Sequence, residues 1–114
     1  MRIEKERFGD VLVARIKEPK VTSHEAPDMK TALLELLMSD GENFLVNLRD
    51  VENMDSTGLG AFLFGIRQAE QHNKDLCFCE ARKKVKFLIR IAHLDQVIDV
   101  YDTEEEALAD FREE

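Results

Sequence analysis

Hydrophobic positions along this chain switch between a period of two and a period near 3.6 several times, the pattern of strands interleaved with helices. Arg2 to Arg7 and Val11 to Ile16 flank Phe8-Gly9-Asp10, whose glycine suits a tight connection, and read as a hairpin. Met29, Leu33, Leu36 and Leu37 form one helical stripe, stopped at Ser39-Asp40-Gly41 by a glycine placed to take a left-handed cap. Phe44-Leu45-Val46-Asn47-Leu48 is nearly continuous in apolar character, as expected of a strand covered on both faces. A helix over Gly58–His72 follows, with Leu59, Phe62, Leu63 and Ile66 at helical spacing. Then come a strand over Leu76–Cys79, a helix over Lys83–Ile91, a strand near Val97–Val100, and a last helix facing inward through Ala107, Leu108 and Phe111. Thr22 with Glu25 and Thr103 with Glu106 read as capping boxes, and Pro27 falls where a first turn tolerates proline. The order predicts an α/β fold, a mixed sheet of four to five strands packed with about four helices.

The junction Asn53-Met54-Asp55-Ser56-Thr57-Gly58-Leu59-Gly60 carries the candidate chemistry. A strand-to-helix turn leaves N–H groups unpaired at the positive end of the helix dipole, so Ser56 or Thr57 can cap the helix with its side-chain oxygen. A phosphate on Ser56 would also sit well against those donors, while adding about −1.5 to −2 charges beside Asp55. Gly58 and Gly60 let neighbouring elements or other chains come close to the backbone. Phe64 and Leu59 need not both be buried, and an exposed apolar residue beside Ser56 suits a docking patch.

Composition narrows the function classes. With 114 residues and 44% hydrophobic residues, residues 1–114 suffice for one core and one domain. No apolar run approaches the ~20 residues of a membrane span, and the charged start Met1-Arg2-Ile3-Glu4-Lys5-Glu6 does not resemble a secretion signal. A cytoplasmic protein with no membrane role is expected. A net charge of −8 argues against direct nucleic-acid binding, which needs a dominant basic face. The one basic concentration, Arg82-Lys83-Lys84-Val85-Lys86 with Arg90, reads as a solvated helix face. Cys77 and Cys79 lie two apart on a strand and share a face without metal-ligand spacing, so both read as core packing. His24, His72 and His93 form no ligand motif. Ser56 lacks a Gly-x-Ser-x-Gly elbow, and Gly58-Leu59-Gly60 is not followed by the Lys-Ser/Thr pair of a P-loop. No catalytic residue, metal or cofactor is expected.

Met54-Asp55-Ser56-Thr57-Gly58-Leu59-Gly60 resembles the signature of STAS domains, in particular of bacterial anti-sigma-factor antagonists. The resemblance extends to Leu45–Val51, to His93–Tyr101 and to Thr103–Leu108. It implies a STAS domain over 1–114 in which Ser56 is phosphorylated by a serine kinase that is also the anti-sigma factor, and dephosphorylated by a PP2C-type phosphatase. It also implies a partner surface on Asp55, Ser56, Thr57, Gly58, Leu59 and Gly60, with Thr22 and Ser23. In that scheme the unphosphorylated chain binds the kinase and releases the sigma factor. One departure stands out: Pro19-Lys20-Val21-Thr22 occupies the place of the family's Gly-x-Leu/Ile-Asp motif. The competing readings are a small-ligand sensor at the same turn, a regulator of a pathway not ending in a sigma factor, and a hydrolase with Ser56 as nucleophile.

Overall fold

Two apolar clusters, one on each face of a five-stranded sheet, organise the chain. In the computed structural model, which describes residues 1–112, β1 (Ile3–Phe8) turns through Gly9, at φ +61°, and Asp10 into β2 (Val11–Ile16). The chain continues through β3 (Lys20–Val21), α1 (Ala26–Leu37), β4 (Asn43–Asn47), β5 (Asn53–Met54), α2 (Ser56–Gln71) and β6 (Asp75–Cys79). It ends with α3 (Lys83–Ile91), β7 (Val100–Tyr101) and α4 (Glu104–Arg112). The sheet order is β1-β2-β4-β6-β7, antiparallel between β1 and β2 and parallel from there on. β1 lies at one edge, with Glu4, Lys5, Glu6 and Arg7 exposed. β3 and β5 form a separate two-stranded parallel sheet.

Strand alternation sends Leu12, Ala14, Ile16, Phe44, Val46 and Phe78 into one cluster with the buried sides of α1, α2 and α3. Val11, Val13, Leu45, Cys77 and Cys79 pack instead with Ala107, Leu108 and Phe111 of α4. Coverage on both faces is why β4 reads as an unbroken apolar run. The Phe62 and Phe78 rings meet edge to face at 5.5 Å and 86°, seating α2 on β6. On the other face Arg15 ties α4 to the strand ends: Nε and Nη2 donate to Glu104 Oε1 and Oε2 at 3.0 and 2.9 Å, and Asn47 Nδ2 donates to Oε1 at 2.9 Å. The Arg15 bonds hold the Glu104 carboxyl below its usual range.

The predicted elements are all present, with corrections at their ends. The first helix stops at Leu37 with Met38 as its C-cap in right-handed geometry; Gly41, at φ +101°, comes three residues later and is not the cap. The Thr22–Glu25 pair sits one turn ahead of α1, where the Thr22 hydroxyl and N–H both donate to Glu25 Oε1, at 2.7 and 2.9 Å. At α4 the Thr103 hydroxyl accepts from Glu106 N at 3.1 Å, as a capping box requires. The strand expected near Val97–Val100 is displaced to Val100–Tyr101, because Val97 and Ile98 donate back to Leu94 O in a turn. Leu63 is half-buried, since the inward stripe of α2 runs through Leu59, Phe62, Ile66 and Ala69.

Candidate functional site

Asp55, not Ser56 or Thr57, caps α2. Its backbone is extended (φ −105°, ψ −178°) and its Oδ1 accepts from Gly58 N at 2.8 Å. The second oxygen, Oδ2, accepts from Ser23 N at 3.0 Å. One carboxylate therefore joins the start of α2 to the turn before α1. These amides, Gly58 first and then Ser23 and Thr57, hold the Asp55 carboxyl below its usual range.

Gly58 fixes the same junction by close approach. A Cβ on it would lie 1.8 Å from the Val21 carbonyl oxygen and 2.8 Å from the carbonyl carbon. Val21 is paired with Met54 in the β3–β5 ladder, and Pro19 O accepts from Glu52 N and Asn53 N at 2.9 and 3.0 Å. The Pro19–Thr22 segment thus lies against the Ser56 turn through main-chain contacts, despite lacking the family's Gly-x-Leu/Ile-Asp residues.

The predicted site residues largely converge. Asp55, Ser56, Thr57 and Gly58 form the first turn of α2 and its cap, and Ser23 reaches it through the Asp55 carboxylate, whereas Thr22 spends its hydroxyl and N–H on Glu25. Ser56 is the first helical residue, and it and Thr57 are exposed. None of the side-chain hydrogen bonds among the described residues engages the Ser56 hydroxyl. Gly60 is exposed one turn further on, with open space where a Cβ would be. Leu59 corrects the expectation: it is 4% exposed and packs inward, so it supports the turn from below and offers no side chain to a partner. Phe64, half-buried, has Lys30 Nζ 5.7 Å from its ring centre. Sequence reasoning missed the two hydrogen bonds that Asp55 accepts, although an aspartate three residues before Gly58 is itself an N-cap signal.

The other candidates fall elsewhere. Cys77 and Cys79 are buried beneath α4, and burial pushes the Cys79 thiol up to about 12. Among the described residues no group of three or more His, Cys, Asp or Glu is arranged to hold a metal, and no helix is long and apolar enough to cross a membrane. A polar cavity of about 250 Å³ lined by Arg15, Lys17, Arg49, Glu80 and Glu104, among others, takes no residue from the Ser56 turn.

Because Asp55 is depressed when folded, its contribution to stability is complete above the ordinary carboxylate pKa and is lost as pH falls through the lower folded value. Asp55→Asn keeps one acceptor and sets an NH2 group against the second amide. The variant is expected to unfold at lower urea than wild type at about pH 7, with the gap narrowing at an acidic pH below the ordinary carboxylate range, as the wild-type carboxylate protonates. A gap of the same size at both pH values would contradict the assignment.

The STAS domain family model matches residues 2–107, which include this βα junction, and the chain belongs to that family. Among curated relatives, the anti-sigma F factor antagonist of Paenibacillus polymyxa is 25% identical over 112 residues, covering 96% of this chain and 94% of the relative. An anti-sigma factor antagonist from Mycobacterium paratuberculosis superposes with a TM-score of 0.84 at 20% identity, over 97% of this chain and 93% of that one. SpoIIAA, a Bacillus cell fate determinant solved in its phosphorylated form, superposes with a TM-score of 0.69 at 17% identity, over 96% and 99% of the two chains.

Proposed function

We propose that the chain is an anti-sigma-factor antagonist of the partner-switching kind, controlled by phosphorylation of Ser56. The observation that carries this reading is the capping role of Asp55: with the helix start already satisfied, the exposed Ser56 hydroxyl has no structural task and is available to a kinase. The curated relatives that bear the antagonist name, and the phosphorylated form of SpoIIAA, support it.

In this scheme the unphosphorylated chain docks Ser56, Thr57 and Gly60, with Ser23 beside them, onto an anti-sigma serine kinase in the cytoplasm, and the sigma factor is released. The kinase transfers the γ-phosphoryl group of ATP to Ser56 Oγ: the Oγ–P bond forms as the bond from the γ-phosphorus to the β,γ-bridging oxygen breaks, ADP leaves, and the hydroxyl proton is lost. The dianion brings charge and bulk to the docking surface next to Asp55 and ends the complex. A PP2C-type phosphatase hydrolyses the phosphoserine and resets the chain, which is a substrate and binding partner in the cycle and catalyses none of its steps. The backbone need not move, since the change is confined to the surface of a preformed helix terminus.

Incubation with the anti-sigma kinase and ATP, followed by mass mapping, tests the reading: one phosphate on Ser56 supports it, and phosphate elsewhere or none refutes it. Gly60 provides a second check. Ala at this exposed, unobstructed helix position is expected to leave stability unchanged or raise it by up to ~1 kcal/mol. The same methyl group is expected to weaken kinase binding about tenfold by blocking close approach. Unchanged affinity in a surface-binding assay would remove Gly60 from the interface.

A further inference from the structure

Helix α3 presents a second unexplained feature. Arg82 to Arg90 contains five basic residues and no acidic one, in a chain of net charge −8. Two of the five are engaged within the molecule: Lys86 pairs with Asp102 at 2.7 Å, and Arg82 Nε donates to Arg49 O. Lys83, Lys84 and Arg90 are exposed, and no ion pair among the described residues uses them. Between them, one turn apart, stand Phe87 and Ile91, 60% and 55% exposed. The core needs neither, since Val85 and Ile89 anchor the inner side of the helix.

That inner side meets the Ser56 junction. Val85 and Ile89 share a small apolar space with Met54 of β5 and with Leu59 and Phe62 of α2. α3 therefore packs against β5, the short strand that leads directly into the Ser56 turn.

We infer that the outer face of α3, with Phe87 and Ile91 framed by Lys83, Lys84 and Arg90, is a second part of the docking surface and receives an acidic face with an apolar depression on the same protein partner that engages Ser56. The inference rests on the partner-switching reading above. The basic frame steers an acidic partner into register, and the two apolar side chains are desolvated once it arrives. An anionic membrane is the less favoured occupant. Stable attachment to lipid takes two independent signals, whereas a ridge of three cations and two apolar residues bordering an interface only has to extend a contact made elsewhere.

The test uses the full chain and the purified anti-sigma kinase, with Ser56→Ala as reference so that phosphorylation does not intervene. Phe87→Ser/Ile91→Ser is expected to dissociate about tenfold faster or more with thermal stability retained. Lys83→Glu/Lys84→Glu is expected to associate more slowly and to lose the dependence of the association rate on salt. Kinase binding by the reference with unchanged rates in both double variants would overturn the inference and leave the Ser56 reading intact. No kinase binding by the reference would remove both. Binding of the chain to phosphatidylglycerol vesicles at physiological salt, abolished by the same substitutions while kinase binding persists, would overturn it in favour of a membrane contact.

Discussion

Ser56→Asp is expected to bind the anti-sigma kinase at least about a hundredfold more weakly than Ser56→Ala, a difference of about 3 kcal/mol. Both variants should fold as the wild type does, because Ser56 is exposed and the helix cap belongs to Asp55. Alanine removes one uncommitted hydroxyl; aspartate places a second carboxylate next to Asp55 on a surface that must shed water to dock. Calorimetric titration of the two variants measures the gap. Equal affinities would end the phospho-switch reading, and an unfolded Ser56→Ala would mean that the serine has a structural task after all. Because phosphoserine carries more charge than aspartate, the phosphorylated wild type should bind more weakly than either variant.

Gly58→Ala is expected to destabilise the domain by about 3 kcal/mol, lowering the thermal midpoint by roughly 10 °C. Alanine in a helix is ordinarily favoured over glycine by ~1 kcal/mol. Here the added methyl would lie 1.8 Å from the Val21 carbonyl oxygen, and that atom is main chain held in the β3–β5 ladder. It has no rotamer to change, so the ladder must part or α2 must tilt, and overlap wins over propensity. Gly60→Ala, two residues along the same helix with no neighbour to strike, is the control. A Gly58→Ala protein as stable as Gly60→Ala would contradict the close approach of β3 to α2. Since the clash separates Ser23 from Asp55, it should also weaken kinase binding.

Much of this was legible in the sequence because the strands are covered on both faces and the helices on one. The apolar run at Phe44–Leu48 and the 3.6-residue stripe from Leu59 to Ile66 are direct records of those environments. The position of Ser56 at a strand-to-helix junction was legible through its motif. The cap was not, because serine, threonine and aspartate are all good cap residues, and the choice lies in the extended backbone of Asp55. The β3–β5 pair was invisible for a different reason: two-residue strands are too short to show a period, and their pairing depends on a missing Cβ in another element. Leu59 belonged by spacing to the inward stripe, and its closeness to Ser56 in sequence did not turn it outward.

The exposed edge of β1 has a consequence for how copies of the chain meet. Glu4 and Glu6 project from one face of that strand, Lys5 and Arg7 from the other. A twofold antiparallel pairing of two β1 edges keeps each face with its own kind. In the best-overlapping registers Lys5 would oppose Lys5 with Glu4 against Glu6, or Glu6 would oppose Glu6 with Lys5 against Arg7. Both registers set like charges side by side, so the longest open edge of the sheet repels its own image. Edge-to-edge growth into ribbons is thereby discouraged; under the proposed phospho-switch, each Ser56 would then act as an independent one-bit signal rather than one vote within a polymer.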